Sequence, residues 1–193
     1  MFLALRPNNE KKKAYTYNVS TPPAERPLTL TQVKNHLKIS LLDTSQDDYL
    51  YLLIDSAALY FEKYTNRILI NTGFTTFRDD FHHCFLELRR SKVQTVDSIE
   101  YLKDSVFTLI DPSVYYFTDV NDYSEIFLNE NECWPTDIDC VKQAVRIIFV
   151  AGFGPDETFI PADIKVGLLN HIANTYSNRG DCGCDDSTLP RRS

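Results

Sequence analysis

The chain has 193 residues and a formal net charge of −7 at pH 7. A chain of this length can bury roughly 70% of its unfolded surface, which is enough for a core without disulfides. The negative net charge argues against a protein that binds nucleic acid, because phosphate binding needs a basic surface. The sequence has no apolar run of membrane-spanning length, and residues 1–5 are too short for the core of a signal peptide. Since the five cysteines are odd in number and lack framework spacing, we expect free thiols in the cytosol.

The first part of the chain predicts an extended N-terminal arm over 1–27 and a short helix over 30–39. The segment TPPAERP is rich in proline and cannot be helical. Thr29 and Gln32 then have the spacing of a capping box. Taken alone, the basic run from Lys11 to Lys13 is interpreted as a solvated face and not as a DNA-binding site.

A second helix is predicted over 46–65. Its start follows Thr44 and Ser45, and the paired carboxylates of Asp47 and Asp48 in its first turn are explained by their favourable position at a helix N-terminus. Spacings of three and four place the apolar residues on one continuous face: Leu50, Leu53, Ile54, Ala57, Ala58, Phe61 and Tyr64.

Between residues 68 and 151 the apolar period changes to two. Short runs of β-forming residues are separated by clusters such as KDS, DPS and NENE that supply turns, which predicts a meander of antiparallel strands. The order is helices, then strands, then a closing helix, which is typical of an α+β chain. We therefore predict a small helical bundle, made of two N-terminal helices and one C-terminal helix, with an antiparallel β-rich insert.

The closing helix is predicted over 161–179, after a buried strand AVRIIFVAGFG. Pro161 suits a first helical position and Gly180 a stop. The helix is apolar over much of its circumference, so it needs neighbours on more than one side. A single domain is expected over 28–180, followed by a flexible tail over 181–193. The predicted core or subunit interface consists of Leu53, Ile54, Phe61, Leu168, Ile172 and Tyr176.

No set of residues predicts catalysis, a metal site or a cofactor site. His82, His83 and Cys84 lie together in a turn, but a metal would need a fourth ligand, so a polar surface turn is favoured. The tail contains a Cys-x-Cys, Cys182 and Cys184, whereas structural zinc usually wants two intervening residues. We predict that the protein is not an enzyme.

Two further motifs have a structural explanation. Gly152-Phe-Gly154 is half of a dinucleotide fingerprint, but Pro155 follows where a helix should open, which argues against nucleotide binding. His171 lies on the apolar closing helix with no nucleophile motif in the sequence, so it is interpreted as a core or interface histidine.

Five segments, in this order, resemble the head-tail connector (adaptor) proteins of long-tailed bacteriophages and related gene-transfer particles. The match runs from about Tyr15 to about Asp181, and its specificity lies in the series and not in one motif. The departures from the family are the basic start before Tyr15 and the Cys-containing tail after Gly180. The matching segments are TPPAERPLTLTQVKNHLKI, DDYLYLLIDSAALYFEKYTNRILI, ELRRSKVQTVDSIEYL, AVRIIFVAGFG and IPADIKVGLLNHIANTYSNRGD.

The resemblance implies a structural virion component that is assembled in the host cytoplasm. Such proteins form a homo-oligomeric ring, usually twelvefold, beneath the portal protein, and they join the DNA-filled head to the stopper or tail-completion protein. DNA then passes through the ring without sequence-specific binding, and an acidic wall would repel its phosphates. Because the C-terminal segment of such adaptors often reaches toward the portal, the candidate portal-docking residues are Asp181, Cys182, Leu189, Arg191 and Arg192.

Two competing interpretations belong to other classes of protein. A DNA-packaging accessory protein would bind nucleic acid directly through the helix at 30–39 and the arm lysines, and it predicts a salt-dependent DNA affinity. A small hydrolase with a metal at His82 and His83 would need ligands that the sequence does not show.

Overall fold

The computed structural model describes residues 16–81, 85–90, 92–120 and 123–179. Chain contacts divide it into two compact units. The first, called the β unit, has its described residues within 16–22 and 72–152, and the second, called the helical unit, within 23–71 and 153–179. Helices and antiparallel strands both occur, so the predicted α+β class is confirmed. The single domain expected over 28–180 stays a prediction.

The helical unit contains α1 (Leu30–Leu37), α2 (Asp47–Thr65) and α3 (Ala162–Ser177). The capping box at the start of α1 is confirmed: Gln32 N donates to Thr29 Oγ1 at 3.2 Å and Thr29 N donates to Gln32 Oε1 at 2.9 Å. The helix ends two residues earlier than predicted, because Lys38 takes the left-handed conformation with φ 59°.

The start of α2 and both ends of α3 differ slightly from the prediction, whereas the end of α2 agrees with it. The first helical residue of α2 is Asp47, and its last turn stops where Asn66 becomes left-handed with φ 57°. Pro161 is the N-cap of α3 and not its first residue, and α3 ends at Ser177. Within the described part of the chain, no helix is both long enough and apolar enough to span a membrane.

The core of the helical unit joins all three helices to the segments that flank the β unit in sequence. Asn71 N donates to Gly154 O at 2.9 Å and Phe153 N donates to Leu69 O at 3.3 Å, so these two segments are paired. The insert predicted from residue 68 therefore begins at Thr72 instead. The buried apolar residues of this core are Leu28, Val33, Leu50, Leu53, Ile54, Ala57, Leu69, Ile70, Ile160, Leu168 and Ile172.

The β unit consists of two antiparallel sheets. The larger sheet has the order β1-β2-β8-β4-β5 and the smaller one the order β3-β7-β6. Side chains alternate between buried and half-buried along β8, as expected for a central strand. The strands are β1 (Tyr17–Thr21), β2 (Thr72–Arg78), β3 (Phe85–Leu88), β4 (Val93–Lys103), β5 (Val106–Leu109), β6 (Tyr115–Val120), β7 (Tyr123–Leu128) and β8 (Val145–Ala151).

One prediction about this unit is wrong. The strands do not form a simple meander, because β8 inserts between β2 and β4 and pairs with both. Part of the arm predicted over 1–27 is an edge strand, since β1 pairs with β2 in a register that aligns Tyr17 with Thr76. Two pairs of consecutive strands form local hairpins, β4 with β5 and β6 with β7, whereas β3 pairs with the distant β7.

Candidate assembly surface of the helical unit

The residues predicted as core or subunit interface divide by burial. Leu53, Ile54, Leu168 and Ile172 are buried in the helical core, with at most 6% of their surface exposed. Phe61 and Tyr176 are partly buried and pack against that core. A neighbouring subunit could therefore reach few atoms of the four buried residues. An interface on this unit would have to use other side chains.

Tyr176 is held by contacts within its own unit. Its hydroxyl donates to Gln46 Oε1 at 2.8 Å, and Arg179 Nη1 donates to the same oxygen at 2.8 Å. The Arg179 guanidinium also lies 4.6 Å from the centre of the Tyr176 ring. Tyr176 thus joins the end of α3 to the residue before α2.

The other predicted sites fall outside the described residues. These are the tail residues Asp181, Cys182, Leu189, Arg191 and Arg192, the Cys184 position, and the turn formed by His82, His83 and Cys84. Among residues 16–81, 85–90, 92–120 and 123–179, no group of three or more His, Cys, Asp or Glu side chains is arranged to hold a metal ion.

An exposed apolar surface runs along α2, and we call it the outer face. Its members are Leu52, Leu59, Tyr60 and Tyr64, of which Tyr64 is 81% exposed. Leu52 and Leu59, seven residues apart, form one row along the helix, and Tyr60 and Tyr64, four residues apart, form a second row. Tyr64 was expected on the buried face, but its large exposure assigns it here. The signal in the sequence was the pair Leu52 and Leu59, which lies outside the buried stripe.

The outer face continues onto α3 through a ladder of stacked rings. The His171 ring lies 4.9 Å from the Tyr60 ring at an interplanar angle of 8°. Tyr60 in turn stacks on Tyr64 at 6.3 Å and 10°. Val166, on α3, is 53% exposed. His171 is therefore explained by packing against an aromatic neighbour, and α3 exposes part of the apolar circumference predicted for it.

A groove of about 730 Å³ lies between the Pro-rich segment 23–30 and α2. We call it the Pro-rich groove. Its lining combines apolar side chains with four carboxylates and one guanidinium, which gives it a net charge of −3. The residues that contribute side chains from α2 are Tyr51, Asp55, Ala58, Leu59 and Glu62, and the charged residues from other segments are Glu25, Arg26 and Glu157.

One wall of the groove is fixed to the other by an ion pair. Arg26 donates to both oxygens of Asp55, through Nε at 2.7 Å and Nη2 at 3.1 Å. The same guanidinium lies 4.6 Å from the centre of the Tyr51 ring. The bond to Asp55 raises the pKa of Arg26 above its ordinary value. This bidentate geometry holds the Pro-rich segment against α2, whereas the exposure of both partners limits its contribution to stability.

The remaining carboxylates of the groove differ in how they are engaged. Glu62 Oε1 accepts a hydrogen bond from Leu69 N at 2.9 Å. Glu157 Oε2 lies 3.5 Å from Lys165 Nζ. Glu25 is exposed to solvent. The sequence did not predict this groove, because its walls come from segments about 30 residues apart in the chain.

The family comparison matches less than half of the chain. Residues 27–111 match the model of the phage gp6-like head-tail connector protein family. That range covers α1, α2 and the first strands of the β insert. No curated protein gives a significant match.

The fold is similar to three chains of solved gene transfer agent (GTA) particles. The neck of an empty particle, computed with C6 symmetry, has a TM-score of 0.74 at 20% identity, and the match covers 86% of each chain. The virion of the native particle gives a TM-score of 0.72 at 20% identity, again with 86% of each chain covered. The neck of the native particle, computed with C12 symmetry, gives 0.67 at 21% identity over 86% of this chain and 85% of the other. The predicted resemblance to head-tail connector proteins is therefore confirmed by the family model over residues 27–111, and the fold is shared with a chain of a GTA neck over 86% of this sequence.

Proposed function

We propose that this protein is a head-tail connector that forms a closed ring beneath the portal protein and joins the DNA-filled head to the stopper or tail. The observation that carries the proposal is the similarity to chains of GTA necks over 86% of the sequence, together with the family match at 27–111. Two of those necks were computed with C6 and C12 symmetry, which is compatible with a ring of twelve copies.

The outer face of α2 supports assembly. Four large apolar side chains are more than half exposed there, and stacking with His171 carries the surface on to α3. Apolar and aromatic residues of this kind are enriched in the centre of protein interfaces. Large apolar side chains exposed along one helix are explained by contact with a neighbouring copy in the ring.

The net charge of −7 supports a conduit for DNA over a protein that binds it. A wall with a negative potential repels phosphates and lowers the friction of a moving duplex. The competing DNA-packaging interpretation predicts an affinity that falls steeply with salt. We expect no measurable affinity for duplex DNA at any salt concentration in a filter-binding assay, and a salt-dependent affinity would favour the competing interpretation.

The ring contact can be tested on the outer face. We expect a Leu52→Ser and Tyr64→Ser double variant to keep its helical circular dichroism, because both side chains already face water in the subunit. It should lose ring formation with purified portal, since it removes apolar surface from the outer face. Leu42→Ser is the matched control, since Leu42 is 93% exposed and precedes α2. A double variant that forms rings as well as the control would place the subunit contact elsewhere.

Portal docking by the tail is part of the same proposal. Asp181, Cys182, Leu189, Arg191 and Arg192 would order on the portal, where the guanidinium groups suit carboxylates. Cutting the chain after Gly180 should leave the stability of the subunit nearly unchanged and weaken attachment to the portal. Normal attachment of the truncated protein would mean that docking uses the folded body, and failure to fold would mean that the tail belongs to the core.

A further inference from the structure

We infer that the Pro-rich groove receives the basic N-terminal segment, residues 1–15, of a neighbouring copy of this chain. The inference rests on the proposed ring, since the ring brings the two copies together. It goes beyond that function because it names the two surfaces that would connect adjacent subunits: an acidic groove on one copy and a basic arm on the next.

The groove has the size of a ligand pocket, so it takes a few side chains of the arm and not the whole segment 1–15. Its volume of about 730 Å³ lies within the range of about 300–1,000 Å³ that is typical of binding pockets. The two walls are held together by the bidentate Arg26–Asp55 pair, so part of the groove is already formed in the single subunit. Less ordering is then needed when a segment binds.

The charges of groove and arm are opposite. The groove lining carries a net charge of −3. Residues 1–15 contain Arg6, Lys11, Lys12 and Lys13 against the single carboxylate of Glu10, which gives a net charge of +3. A lysine ammonium has three donors and no acceptor, so it suits a site whose polar groups are carboxylates. Complementary potentials of this kind also select the correct partner.

The arm and the groove also both contain apolar residues. Residues 1–5, MFLAL, are apolar, whereas the lysines follow at 11–13. The groove has apolar side chains from α2, Ala58 and Leu59, beside its carboxylates. The tail at 180–193 fits less well, because its three aspartates outnumber its two arginines and leave it with a net charge of −1. The arm is therefore the better occupant of the two.

If each copy places its arm in the groove of the next copy, every groove of a closed ring is occupied. Each copy has one groove and one arm, so a head-to-tail contact repeated around a closed ring leaves neither unoccupied. Once the ring holds two copies together, the effective concentration of the neighbouring arm is high, and a modest affinity for the groove is enough to fill it.

The test uses the full chain in its assembled form. Equal amounts of unlabelled and ¹⁵N-labelled protein are assembled with purified portal and treated with a carbodiimide, which joins lysine amines to nearby carboxylates without a spacer. We expect mass spectrometry to show links from the arm lysines at 11–13 to Glu25 or Glu157, with about half of them between one light and one heavy chain, as random mixing of neighbours requires. Glu130, an exposed carboxylate of the β unit, supplies the background level of linking.

A charge variant separates specific docking from random collision. Glu25→Lys should lower the yield of links to Glu157 several-fold, because it reverses a charge in the groove while leaving that acceptor in place. Glu130→Lys, the matched control, should not change it. An equal yield in both variants would overturn the inference.

Ring formation is measured on the same samples by mass photometry. Rings without arm-to-groove links above background, or with links only within chains of one isotope, would overturn the exchange of arms and leave the proposed function intact. Links from the arm to portal carboxylates in place of the groove would overturn it too. Absence of rings would overturn the proposed function and the inference with it.

Discussion

Lys34 Nζ lies 2.5 Å from Asp47 Oδ1, and this pair ties α1 to the first residue of α2. The same ammonium donates to Asp43 O at 2.8 Å. Only 3% of Lys34 is exposed, whereas the Asp47 side chain keeps 23% of its surface in water. Taking an ammonium out of water costs several kcal/mol, so the lysine depends on its two oxygen partners.

Because Lys34 is more deeply buried than Asp47, the two partners should lose different amounts of stability when each is mutated. Asp47→Ala should lower the free energy of unfolding by about 2 kcal/mol, less than for a fully buried pair because water can still reach the site. Lys34→Met should cost less, since the Asp47 side chain that remains keeps 23% of its surface in water, although its Oδ1 is buried. Urea denaturation of both variants measures the difference, and a larger loss for Lys34→Met would contradict this account of the pair.

The packing of α3 can be tested with two positions on the same helix. Leu168 is 3% exposed, so Leu168→Ala should lower the free energy of unfolding by about 2–5 kcal/mol. Val166 is 53% exposed, and Val166→Ala should change it by less than about 0.5 kcal/mol. Chemical denaturation followed by circular dichroism checks both. A loss for Leu168→Ala as small as that of the control would place Leu168 on the surface.

Gly154 leaves no room for a side chain. A Cβ at this position would lie 2.2 Å from Phe159 Cγ and 2.4 Å from Phe159 Cβ, which are atoms close to the backbone and so cannot swing away. Gly154→Ala should therefore destabilise the protein by about 1–3 kcal/mol.

Gly167 is the matched control for Gly154. It lies within α3, where an added Cβ meets nothing within 4 Å. Gly167→Ala should raise stability by roughly 0.5–1 kcal/mol through helix propensity. Thermal unfolding should move in opposite directions for the two variants. If both changed stability alike, steric contact with Phe159 would not explain Gly154.

Asp156 gives the stability a defined dependence on pH. Its Oδ1 accepts from Thr158 Oγ1 at 2.5 Å and from Thr158 N at 2.9 Å, and these bonds lower the pKa of Asp156 below its ordinary value of 3.8. Because the folded pKa is depressed, this contribution is fully present above pH 3.8 and is lost as the pH falls through the folded pKa.

The cause of that shift can be tested by removing the hydroxyl. In a pH titration followed by NMR, Thr158→Val should move the pKa of Asp156 back toward 3.8, because the first of the two bonds is lost. Thr158→Ser keeps a hydroxyl and should keep the pKa low. An unchanged pKa in the valine variant would assign the effect to other groups.

The features that the sequence predicted correctly are local ones. The capping box of Thr29 and Gln32 needs residues three apart, and the stop at Asn66 needs one residue that tolerates a left-handed backbone. The change of period from 3.6 to two identified the helical and β-rich parts in the right order. These signals come from neighbours in the chain, so a single sequence contains them.

The features that were missed depend on distant pairings. The position of β8 between β2 and β4 is set by partners about 70 and 50 residues away. Lys34 looks like a solvated residue of an amphipathic helix until Asp47 and Asp43 O are placed beside it. The Pro-rich groove likewise exists only after the segment 23–30 has packed on α2. No local pattern contains these contacts.

Imaging this protein with its portal is the most direct test of whether it is a ring-forming connector. Purified protein and portal rings are mixed and examined by electron cryomicroscopy, and copies are counted in the averaged density. The account predicts a closed ring of twelve copies bound to one face of the portal, with an open channel along the axis. Protein that stays monomeric at high concentration and leaves the portal rings bare would contradict it.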